Sequence, residues 1–168
     1  DLTRAAAARQ LDHWADTPRG RLALLIVLDQ FPRSLWRDTP AAFGQDITSC
    51  RLALEGIENG HYAALPEVWE REFYHIAISH CEGPDHDARM ALCVDLAKKQ
   101  ADIARPGMEE LAKIVVAQAE RVQGIIKRFG RHPHRNPIYG RISTADEEAY
   151  IATGDFPHVN PDGVTEPT

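Results

Sequence analysis

Apolar residues recur along this chain at spacings of three and four, the period of a helix with one face turned inward. From 40 to 59 they fall at Phe43, Ile47, Cys50, Leu54 and Ile57, and Asn59-Gly60 closes the run. From 66 to 80 the inward face is read as Trp69, Phe73, Ile76 and Ala77, with Glu67 and Glu70 complementing the dipole of the first turn. Met90, Cys93, Val94, Ala97 and Ala101 mark a helix over 85–104. Met108, Leu111, Val115, Val122, Ile126 and Phe129 mark a longer one ending at Gly130.

Residues 2–15 are Ala-rich and stop at Asp16-Thr17-Pro18, where Thr17 caps a new helix with Pro18 at its first position. The segment 18–30 is apolar nearly all round, which places it at the centre of its domain. A buried strand competes for so short a run; Pro18 and the helical neighbours favour helix. Pro32 is expected to stop it. A last short helix starts near Thr144, whose hydroxyl pairs with Glu147 in a capping box. No segment alternates apolar and polar residues as a half-buried strand does. The pattern predicts an all-α fold of six to seven antiparallel helices, stacked as a tetratricopeptide-like array or bundle. It is read as one domain over 1–155, with a Pro/Gly-rich tail over 156–168 that is extended or disordered.

Composition narrows the function classes. The 168 residues suit one domain, and a net charge of -6 argues against a nucleic-acid module, which normally shows a basic face. The longest apolar run, Leu22 to Leu28, is far shorter than the roughly 20 residues that span a bilayer, so no membrane role is expected. Cys50, Cys81 and Cys93 form no C-x-x-C pair and read as buried thiols of a cytoplasmic protein. The chain begins Asp1-Leu2-Thr3, which reads as a trimmed version of something longer.

Two polar segments follow apolar helices and carry the candidate chemistry. Arg131, His132, His134, Arg135 and Asn136 crowd the stretch after Gly130, where glycine and Pro133 restrain the backbone. Asp29, Gln30 and Arg33 stand at the end of the most apolar helix. Arg33, Arg131 and Arg135 brought together would surround one anion, held by Asp29, Gln30 and Asn136 with His134 as a loop strut or acid–base neighbour, because a planar guanidinium grips carboxylate or phosphate with two prongs. The alternative is internal pairing, an Asp29–Arg33 or Asp29–Arg135 bridge that leaves no vacancy for a ligand.

Glu72, His75, His80, Glu82, Asp85, His86 and Asp87 form a second titratable group, readable as an acid–base site or as a solvated helix end. His132 and His134 make an H-x-H pair in a loop, with no third ligand at telling spacing, so no metal is expected. No cofactor motif, Gly-rich phosphate loop or nucleophile elbow is present.

Several of these motifs stand together in order: Leu28-Asp29-Gln30-Phe31-Pro32-Arg33, Thr39-Pro40-Ala41-Ala42-Phe43, Glu70-Arg71-Glu72-Phe73 with His80 and Glu82, then 128–136, Gly140-Arg141, Ser143-Thr144 and Glu147-Glu148. Over roughly 18–155 the set resembles the bacterial domain-of-unknown-function 924 family. The resemblance implies an all-α fold similar to tetratricopeptide-repeat proteins, with no established activity, cofactor or partner. It also implies some tens of residues before Asp1. His132 stands where the family more often has an aromatic, Val122 where it has a histidine, and Ser34 where it has an asparagine.

The functional expectation is a binding module that holds an acidic small molecule or a peptide carboxylate through its arginines. The alternative is a metal-independent enzyme on a phosphorylated or carboxylated metabolite. His134 or His80 would then be the acid–base group, oriented by Glu72 or Glu82. Geometry separates the two: an enzyme needs a histidine and a carboxylate within hydrogen-bond reach of each other at the site.

Overall fold

The computed structural model describes residues 2–157, and these divide into two compact units, one ending at Cys81 and the other beginning at Glu82. Among the described residues there are helices and turns and no strand. The α-helices are α1 (Leu2–Ala7), α2 (Pro18–Leu35), α3 (Asp46–Glu58), α4 (His61–Ala64) and α5 (Val68–His80) in the first unit. The second holds α6 (His86–Asp102), α7 (Glu109–Phe129), α8 (Asn136–Tyr139) and α9 (Ala145–Thr153). The all-α class is as expected, but the count of six to seven is low, because α4 and α8 are single four-residue turns that carry no periodicity.

In the first unit α2 packs against α1, α3 and α5, which explains why it has no polar face. Leu24, Leu25, Val27 and Leu28 are buried along it. Its start is as read: Thr17 accepts from the Gly20 amide at 3.2 Å, and Pro18 lies at the first helical position. Its end is not. Pro32 lies inside the helix, which runs on to Leu35 and closes with the Trp36 amide on the Pro32 carbonyl. One turn from a terminus, proline removes a single donor, and Arg33 Nη1 reaches back to bond the Asp29 carbonyl at 2.6 Å.

The face of α3 is also rotated from the expected one. Ile47 is 77% exposed, whereas Asp46, Ser49, Cys50, Ala53 and Gly56 point inward. These side chains are small, so α3 can lie close against α2 and α5. The run 40–59 is broken at Gly44-Gln45 into a 3-10 turn, Pro40–Phe43, and the helix proper. On α5 the buried face is Val68, Glu70, Tyr74, His75, Ala77 and Ile78, and Trp69 is an exposed residue.

In the second unit α6 packs along α7 through Met90, Cys93 and Ala97 on one side and Ala112, Val115, Ala119, Val122 and Ile126 on the other. α7 ends at Gly130, whose φ of 71° is the left-handed cap that residues with a Cβ rarely adopt. The capping box at α9 is present in both directions, Thr144 with the Glu147 amide and Glu147 with the Thr144 amide. Arg121 of α7 binds Asp155, and of the predicted tail Pro157 lies along α7, its carbonyl accepting from Gln118; residues 158–168 lie outside the described residues.

Candidate functional site

In the first unit the end of α2 meets the end of α5. Asp29 sits in the last turns of α2 with only 2% of its surface exposed. A buried carboxylate needs partners, and it has three. His80, the last residue of α5, places Nδ1 2.9 and 3.1 Å from its two oxygens. Arg33 lies 3.2 Å away on the same helix, and Gln30 donates its side-chain amide to the carboxylate. Burial by itself raises the Asp29 pKa, but the charge and hydrogen bond of His80, then Arg33 and Gln30, outweigh it and hold the group below the ordinary carboxylate value.

Arg33 is shared. Its Nη2 donates to Asp46, at the start of α3, at 2.7 Å, and its guanidinium lies over the Phe43 ring at 5.6 Å. The internal Asp29–Arg33 bridge is therefore present. His80 is half-buried, with 22% of its side chain accessible against 19% for Arg33. The contact of both carboxylate oxygens with Nδ1 fixes the orientation of the His80 ring. This is a carboxylate–imidazole dyad, an arrangement that orients a histidine for proton transfer.

The other titratable residues of α5 do not join it. Glu72 faces His75 at 3.4 Å, and the other ring nitrogen of His75 pairs with the Tyr62 hydroxyl at 3.0 Å. Glu72 thus orients His75 and not His80.

In the second unit the residues after Gly130 are tied down by carboxylates. Arg131 makes a two-pronged pair with Glu147 at 2.6 and 2.8 Å and also donates to the Ile142 carbonyl. The Arg131 hydrogen bonds lead the causes that depress Glu147, offset in part by burial and helped by the Thr144 amide, to a pKa of about 2. Glu82 accepts from the His132 amide at 2.7 Å and from both terminal nitrogens of Arg141. Burial pushes Glu82 up, yet Arg141, the His132 amide and the charge of Arg135 bring it below its ordinary value.

Arg135 and Asn136 are buried, Asn136 fully, with its amide on Ser143 Oγ at 2.9 Å. His134 lies between the rings of His132 and Phe156, at 5.4 and 5.2 Å. Among the described residues no group of three or more His, Cys, Asp or Glu side chains is placed to hold a metal ion. Among the described residues no helix is long and apolar enough to cross a membrane.

The candidates thus fall into two networks described separately. Asp29, Gln30 and Arg33 come together with His80, a residue the sequence reading had grouped with Glu72 and Glu82. Arg131, His134, Arg135 and Asn136 come together with Glu82, Arg141 and Glu147. Asp46 was missed. Its only sequence signal is an acidic residue at a helix start, which ordinarily means dipole compensation. Glu147 was read as a capping residue and turns out also to hold Arg131.

Fold and sites together define an all-helical protein whose polar clusters are built around carboxylates. The chain belongs to the family described as bacterial protein of unknown function (DUF924), whose model matches residues 1–155. It is also similar to the solved structure of a protein of unknown function, ATU0120, from Agrobacterium tumefaciens. The identity is 34% and the TM-score 0.75, over 90% of this chain and 78% of that one. No curated protein matches it.

Proposed function

We propose that this protein is a metal-independent acid–base enzyme acting on a small phosphorylated or carboxylated metabolite, with His80 as the residue that moves the proton. The observation that supports this reading is the Asp29–His80 dyad. A buried carboxylate fixes the orientation of an imidazole that keeps 22% of its side chain accessible, the arrangement an acid–base histidine uses. Asp29 is a positioning residue here, and Gln30 and Arg33 hold Asp29 in turn.

The expected binding module stands second for a physical reason. Arg33 and Arg131 direct their guanidinium donors at Asp29, Asp46 and Glu147, so an anionic ligand would have to compete with carboxylates already in place.

The test is a thermal-shift and NMR screen against phosphorylated and carboxylated metabolites, followed by turnover assays on each hit. A ligand that shifts the His80 ring resonances and is turned over is the expected result. His80→Asn should then lower the rate by a factor of roughly 10² to 10⁴ with binding retained. Asp29→Asn should change the pH–rate profile more than the affinity. Hits that bind without turnover restore the binding-module reading, and a screen in which nothing moves the His80 resonances refutes a site at this dyad.

A further inference from the structure

A cleft of about 160 Å³ opens in the first unit between α2, α3 and the 3-10 turn Asp12–Asp16, and neither Asp29 nor His80 lines it. Its floor is Leu24, Leu28 and Leu52, with Leu24 and Leu28 each 2% exposed. Its mouth carries Arg9, Asp12, Arg51 and Glu55. The cleft is open and its lining is as polar as it is apolar; drug-sized ligands need roughly 300 Å³ or more, so the body that fits is small and carries both polar and apolar parts.

The four charges at the mouth are not equivalent. Arg9 is held by both oxygens of Asp12, at 2.9 and 2.7 Å. Arg51 and Glu55 are held loosely. They approach to 3.5 Å, beyond good hydrogen-bond geometry, and Arg51 precedes Glu55 by one turn of α3, the weaker order for such a pair. Glu55 is drawn as well to Arg21, at 3.6 Å. Both side chains are more than half exposed, at 59% and 52%. The mouth therefore offers one guanidinium and one carboxylate side by side above a floor of leucines.

The geometry points to a binding site for a free α-amino acid with a branched aliphatic side chain. Its carboxylate goes to Arg51, its ammonium to Glu55, and its side chain to the Leu24–Leu28–Leu52 floor. A guanidinium next to a carboxylate complements an amino acid's zwitterion, whereas an acid or an amine alone satisfies half of it.

The test is methyl-resolved NMR of the whole chain titrated with leucine, 4-methylpentanoate and isoamylamine. Saturable shifts of the Leu24, Leu28 and Leu52 methyls are expected with leucine, and about tenfold weaker binding with either one-headed analogue. Arg51→Ala should weaken leucine about tenfold while the remaining methyl spectrum stays unchanged, and Glu55→Gln should do the same. His80→Asn should leave leucine binding intact, which separates this site from the proposed catalytic one. The proposal fails if leucine gives no saturable shift, if 4-methylpentanoate binds as tightly, or if both variants bind like the parent.

Discussion

At the residue scale the most consequential group is Asp29. Its pKa lies below the ordinary carboxylate value in the folded chain, so its ionised form stabilises the first unit at any pH above that ordinary value. That contribution is lost as the pH falls below about 4 towards the depressed folded value. Asp29→Asn should therefore flatten the acid limb of the stability–pH curve in that window, as urea denaturation at stepped pH would show. Above pH 5 the variant should simply be less stable, because His80 and Arg33 lose a charged acceptor.

Gly56 is the second residue with a sharp expectation. A Cβ there would lie 2.6 Å from Arg21 Cδ and 2.7 Å from Tyr74 Cε1. Arg21 is held by the Leu52 and Ala15 carbonyls and Tyr74 is fully buried, so neither can move aside cheaply. Gly56→Ala, ordinarily a stabilising change in a helix, should cost roughly 1–3 kcal/mol here.

At the element scale α9 and its cap fasten the loop after α7. Thr144→Ala removes the acceptor for the Glu147 amide and should cost about 1 kcal/mol. Glu147→Gln loses more, because it also breaks the two-pronged Arg131 pair. Glu147 is the better pH probe of the second unit. With its pKa depressed from 4.5 to about 2, its contribution is complete above pH 4.5 and disappears between pH 4.5 and about 2. In Glu147→Gln that acid-dependent component should be missing.

Elements also show where periodicity succeeds and fails. For α7 the apolar stripe was legible, because one long helix against a single neighbour needs a clean two-sided pattern. For α3 the same reading chose the wrong face. Its large apolar residues are partly outside and its small ones inside, since α3 is packed by how closely it can approach α2 and α5. Pro32 misled for a related reason: a helix anchored by burial along four turns tolerates the loss of one hydrogen bond near its end.

At the scale of the whole molecule, Cys50, Cys81 and Cys93 report on opening. Each is at most 7% exposed, with Cys50 and Cys81 in the first unit and Cys93 in the second. Native protein should label slowly with a thiol reagent, and all three should react at once in urea. Fast native labelling of one cysteine would locate a unit that opens locally.

The sequence by itself determined the helical class, most helix ends and the family, because capping residues, breakers and 3.6-residue periodicity act locally. It also singled out Asp29, Arg33, Arg131 and His80 as polar groups at helix ends. Only the tertiary structure decided their partners. Asp29 meets His80 across 51 residues of chain, and Arg131 meets Glu147 across 16. A carboxylate's choice among several cations depends on which helix ends the packing brings within 3 Å or so, and no local pattern encodes that distance. The same packing paired Arg131 with Glu147 and Arg33 with Asp29 and Asp46, and set His80 against Asp29 rather than Glu72.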